Sequence, residues 1–129
     1  MERPSAPESQ VGLLRGWRAT LSTLDPVDDG DRVDHLRELE MLKSAVAAAQ
    51  ARITVDFDRS QRQVQRDAGV PERRVGAGVA AQVALARRES PSRGSRLLGL
   101  AHALVEELPH TLAALARGET SEWRGRRPA

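Results

Sequence analysis

The chain has 129 residues, enough for one domain and short for two, and its 40% hydrophobic content includes one Phe, two Trp and no Tyr. It has no Cys, which excludes disulfides, thiol nucleophiles and thiolate metal sites. The formal net charge is +2 while the pI is about 10.3, because Lys43 is the sole Lys beside many Arg and neither Cys nor Tyr titrates in between.

Residues 1–8 are polar with two prolines and read as a disordered lead. From Ser9 the pattern turns helical, with Val11, Leu14, Trp17, Leu21 and Leu24 tracing one stripe. Asp25-Pro26 stops that helix, since the residue before proline is pushed out of helical conformation. Asp28, Asp29, Gly30 and Asp31 form a loop and an N-cap suited to the positive end of a helix dipole. A long helix follows over about residues 32–67. Its stripe of Leu36, Leu39, Leu42, Val46, Ala49, Ile53 and Phe57 is close to a heptad seam, with Leu39, Val46 and Ile53 seven apart. With fewer than four clean heptads, packing against this chain's own helices is the favoured reading, and a homodimer through the long helix stays open. Beyond Phe57 the stripe thins, so the helix end is expected to fray.

Gly69-Val70-Pro71 breaks the chain, and Gly76 and Gly78 make the next segment loose. A short helix emerges from Val79. Ser90-Pro91 then supplies a cap and a proline at the first helical position. The helix it opens places Leu97, Ala101, Leu104 and Leu108 on one face, widened by Leu98 and Val105, until Leu108-Pro109 ends it. A further short helix carries Leu112, Leu115 and Ala116 and closes at Gly118. Thr120 or Ser121 caps a last helix, Glu122-Trp123-Arg124, barely begun when the sequence ends. The fold class expected is all-α, an irregular bundle of about five helices including one long one. Residues 9–68 form a helical pair and 69–127 a second segment of the same domain. Ala-rich seams bury little area per residue, so stability is expected to be marginal or partner-dependent.

Little here points to catalysis. His35, His102 and His110 lack the spacing of metal ligands and read as polar surface residues. Glu38 with Glu40, and Glu106 with Glu107, read as solvated faces rather than acid/base couples. Gly76-Ala77-Gly78 lacks the preceding strand and following Lys that a phosphate loop requires. No catalytic residue, metal ligand, cofactor or small-molecule substrate is nominated. No apolar run is long enough to span a bilayer, and no leader is recognisable, so the cytoplasm is the expected compartment and no membrane contact is expected.

Charge is uneven along the chain. Residues 1–56 hold 7 basic and 10 acidic residues, whereas 57–129 hold 13 and 8, so any polyanion contact falls in the second half. The candidates for DNA contact are Arg87, Arg88, Arg93, Arg96, Arg124, Arg126 and Arg127. The segment 92–127 has the helix–turn–helix order that lays Arg on phosphates. Glu106, Glu107, Glu119 and Glu122 interleave with those arginines, and the Arg bias itself is read first as a mark of GC-rich coding.

From Val55 to Arg127 the chain resembles a known family. The landmarks are Phe57-Asp58-Arg59-Ser60-Gln61-Arg62, Gly69-Val70-Pro71, the run Val79 to Arg88, Ser90-Pro91 and Leu100-Ala101-His102-Ala103-Leu104-Val105. Then come Leu108-Pro109-His110-Thr111-Leu112, Ala114-Leu115-Ala116-Arg117-Gly118 and Thr120-Ser121-Glu122-Trp123-Arg124. In order and spacing these resemble the helical domain of unknown function 222 of actinobacterial 13E12-repeat proteins, which typically precedes an HNH endonuclease domain. The resemblance implies kinship with nuclease-associated proteins, but the HNH ligands and general base have no counterparts here, so it carries over no catalytic residue. The expectation is a non-catalytic interaction or DNA-contacting accessory module. The alternatives are a truncated remnant of an HNH-type protein without autonomous function and a stand-alone nuclease or hydrolase.

Overall fold

The structure is a computed structural model that describes residues 9–118. Within them lie five α-helices and no strand: α1 (Gln10–Leu21), α2 (Asp29–Asp67), α3 (Val79–Ala86), α4 (Pro91–His102) and α5 (Pro109–Ala116). A single 3-10 turn, Glu72–Arg74, precedes α3, and a π turn, Ala103–Glu107, extends α4. The expected lead at 1–8 and the last helix around Trp123 lie outside the described residues. No helix among those described is long and apolar enough to cross a membrane.

The chain divides into two units between Leu36 and Arg37. In the first, Ser9 caps α1 by accepting a hydrogen bond from the Gly12 amide at 3.1 Å. The expected stripe is carried on α1 only from Val11 to Leu21, because the helix ends at Leu21 with Ser22 as its cap, before Leu24 and the expected stop at Asp25-Pro26. No residue of α1 is buried, and Trp17 is 60% exposed. The N-terminus of α2 is closed by aspartates. Asp28 accepts from the Asp31 amide at 2.7 Å, and Asp31 accepts from the Val27 amide at 3.0 Å. This cap starts the helix at Asp29, a few residues before the sequence pattern begins it.

The second unit holds the core. Ala48, Ala51 and Val55 of α2 meet Ala101, Leu104 and Leu115, with Leu100, Val105 and Leu112 packed around them. The buried side of α2 is Ser44, Ala47, Ala48, Ala51, Thr54, Val55 and Asp58, a run of small residues that lets neighbouring helices approach closely. The expected core stripe is therefore corrected. Leu36, Leu42, Val46 and Ile53 are exposed, and at 100° per residue the last three fall on the side of α2 opposite the buried one.

Past Phe57 the helix does not fray but runs on to Asp67. It ends as expected at Gly69, left-handed at φ 83°, where the Val70 amide bonds the Gln65 carbonyl and the Gly69 amide that of Arg66. Nor is the following segment loose. The Gln65 side chain accepts from the Gly76 amide at 2.6 Å and donates to the Ala77 carbonyl at 3.0 Å, while Arg66 grips Glu72 through two bonds. α4 crosses α3 at Gly94, where a β-carbon would collide with the Ala80 carbonyl oxygen. After His102 the helix widens, and the Leu108 amide reaches back to the Ala103 carbonyl at 2.9 Å. That shift of register keeps Leu104 buried but turns Leu108 out to 37% exposure, so Leu108 does not belong to the face assigned to it.

Candidate nucleic-acid interface

α3 and α4 are joined by a turn of four residues, Arg87 to Ser90, and pack against each other. Of the helix–turn–helix order expected over 92–127, α4 and α5 are present, separated by the π turn and Leu108, and the rest lies outside the described residues; α3 and α4 form a second pair earlier in the chain. The turn itself closes α3 in the usual manner of a left-handed cap. The Glu89 amide bonds the Ala84 carbonyl at 2.8 Å and the Arg88 amide bonds that of Leu85 at 3.2 Å. The left-handed residue is not glycine. It is Arg88, at φ 56°, the one non-glycine residue with positive φ among those described. A side chain in that conformation costs about 1–2 kcal/mol.

α4 then begins at Pro91, whose missing amide hydrogen is not needed in the first turn. Its first two turns expose Ser92, Arg93, Ser95 and Arg96, whereas Gly94 and Ala101 are buried against the rest of the unit. Arg and Ser are residue types able to contact both phosphates and base edges. The predicted arginines therefore divide. Arg88, Arg93 and Arg96 are exposed along the turn and the outer side of α4. Arg93 is shared with Glu89 at 3.7 Å, an exposed pair worth little. Arg87 differs, being half-buried and lining both the crevice of Ala47, Ala51, Leu97 and Leu104 and the groove between α2 and α3. Arg124, Arg126 and Arg127 lie outside the described residues.

The far end of α4 is fixed by a polar clamp that the sequence did not announce. Asp58, 3% exposed, continues the small-residue side of α2 into a carboxylate. It bonds Arg62 Nε at 3.0 Å through Oδ1 and His102 Nε2 at 2.7 Å through Oδ2. The other ring nitrogen of His102 faces Glu106 Oε1 at 2.8 Å, and Arg59 donates to the same oxygen at 3.0 Å. Each ring nitrogen of His102 thus has a carboxylate oxygen as its partner, an arrangement that favours the doubly protonated imidazole. Burial is the largest single influence on His102 and opposes its charge, but hydrogen bonds to Glu106 and Asp58 and their charges outweigh it, and its pKa is raised. Glu106 is lowered, chiefly by its bond to His102 and then by that to Arg59. His102 is thus not the polar surface residue expected, and Glu106 is not a plain solvated acid. The available signal was Asp58 itself, which falls on the next step of the Ser44, Ala47, Ala51, Val55 series.

His35 is a local partner of Asp31, its Nδ1 2.8 Å from the Asp31 carbonyl oxygen, and His110 is exposed. Among the described residues no group of three or more His, Asp or Glu is arranged to hold a metal ion. No family model, curated protein or solved structure matches the chain.

Proposed function

We propose that this chain is a non-catalytic helical module that binds duplex DNA through α3, the Arg88 turn and the first half of α4. The observation that carries the reading is Arg88, exposed and held left-handed at the turn where glycine would be free of strain. Arg93 and Arg96 extend that positive edge along α4, the second helix of the pair, which in this arrangement enters the major groove. The resemblance to the domain of unknown function 222 is in keeping with a nuclease-associated role, and we place the chain with that domain on the same footing as the DNA reading. The non-catalytic part of the proposal draws on the clamp. Both nitrogens of His102 are occupied by carboxylates, which leaves neither available as a base.

Fluorescence anisotropy with a labelled duplex tests this. Replacing Arg88, Arg93 and Arg96 together by Ala should weaken binding and reduce the slope of log K against log salt by about 2.7, roughly 0.9 for each phosphate no longer neutralised. A wild-type chain that fails to bind duplex DNA at low salt, or a triple variant with an unchanged slope, would remove the proposal.

A further inference from the structure

α2 is apolar on two sides, and among the described residues only one of them enters the core. With Leu39, Val46 and Ile53 taken as the first position of successive heptads, Leu42 and Ala49 fall on the fourth. The residues that enter this chain's own core occupy the second, third and sixth positions, on the other side of the helix. What remains outside is a seam of Leu39, Leu42, Val46, Ala49 and Ile53, with Leu42, Val46 and Ile53 each more than 40% exposed. Asp56 ends the seam at the fourth position of the next heptad.

We propose that this seam is the interface of a parallel, two-fold homodimer. Three features select a second copy of the chain rather than some other occupant. First, the period is that of self-pairing helices, with β-branched Val46 and Ile53 at the first position and Leu42 at the fourth, the combination that favours two parallel strands. Second, the flanks are complementary to themselves. In a parallel pair Glu38 stands across from Lys43 of the partner subunit, twice by symmetry, while Ala45 and Arg52 stand across from uncharged positions. From Glu38 to Ile53 no like charges are opposed, and Asp56, which would meet its own copy, ends the paired stretch. An antiparallel pair centred on residue 44 would bring the two copies of Lys43 close together and set His35 against Ile53. Third, the apolar surface does not stop at the seam. Ile53 continues with Phe57, Val83 and Ala86 into the groove of about 440 Å³ between α2 and α3, which widens the contact beyond two heptads of helix. The seam is still short, so the dimer should be of modest affinity, in the micromolar range.

The absence of cysteine makes the test direct. Sedimentation of the full chain, without nucleic acid, should show monomer passing to dimer as concentration rises through the micromolar range. Val46→Glu should hold it monomeric with unchanged helical circular dichroism. Val46→Cys, oxidised as a dimer, should crosslink to itself efficiently, because only in-register parallel packing brings the two first-position residues together. Leu85→Cys, at an exposed site on α3, should crosslink poorly under the same conditions. A wild-type chain that stays monomeric at several hundred micromolar overturns the dimer, including the case in which another protein or another part of this chain covers the seam. Dimerisation with poor Val46→Cys crosslinking overturns the parallel arrangement.

Discussion

Arg88 turns the chain at a conformational cost that glycine would not incur. Arg88→Gly should relieve about 1–2 kcal/mol of local strain and return part of it, roughly 0.4–1 kcal/mol, as added freedom of the unfolded chain. The expected outcome is a variant more stable by about 0.5–1 kcal/mol in urea unfolding and weaker on duplex DNA, with a salt slope shallower by roughly 0.9. A variant that gains stability and binds as before would separate the turn from the interface. At His102 the prediction concerns pH. Its folded-state pKa is raised, so its contribution is complete below the unfolded value near 6.5 and is lost as pH climbs through the higher folded value. The charged groups around it are Asp58, Arg59, Arg62 and Glu106. Unfolding midpoints measured from pH 6 upward into the mildly alkaline range should therefore fall for the wild type, and should stay flatter for His102→Gln. Glu106, with its pKa lowered, acts at the other end, and its share disappears as pH drops through the acid range.

At the scale of helices, the existence and order of the elements were legible because most boundaries have a local cause: Gly69, Ser90-Pro91, Leu108-Pro109 and Gly118, whereas the first helix ends at Leu21, ahead of the Asp25-Pro26 stop read from the sequence. The inward side of α2 was not legible. Leu, Val and Ile at a steady spacing give a stronger apolar signal than Ser44, Ala47, Ala51 and Thr54, yet the small residues are the ones that let α4 and α5 come close. Which stripe turns inward is decided by that tertiary fit and not by hydropathy. The π turn was hidden for a related reason. Pro109 has no amide hydrogen to offer the preceding turn, and the wider ring from Leu108 to Ala103 is the backbone's response, but nothing in 103–107 marks it. Of the candidate interface, the arginine positions could be read in advance. The left-handed state of Arg88 could not, since the sequence signal for it is glycine or asparagine. The Asp58–His102 bond could not either, because it joins residues 44 apart through a contact that exists only once α4 has docked.

For the molecule as a whole, the division at Leu36 falls inside a continuous helix, so backbone regularity and side-chain burial part company there. From Arg37 onward the core, the Gln65 and Arg66 loop contacts and the His102 clamp tie α2 to α4 and its neighbours. Before it, α1 has twelve residues, a Ser9 cap and no buried side chain. Helices of that length are marginal in water without tertiary support. In a deuterium-labelling time course, the amides of α1 should take up label at close to free-peptide rates, while those of Ala51, Val55 and Leu104 retain hydrogen far longer. Among the described residues, trypsin should for the same reason cut first after Arg15 or Arg18, and slow labelling there would mean that some other surface shields Trp17 and its neighbours in solution.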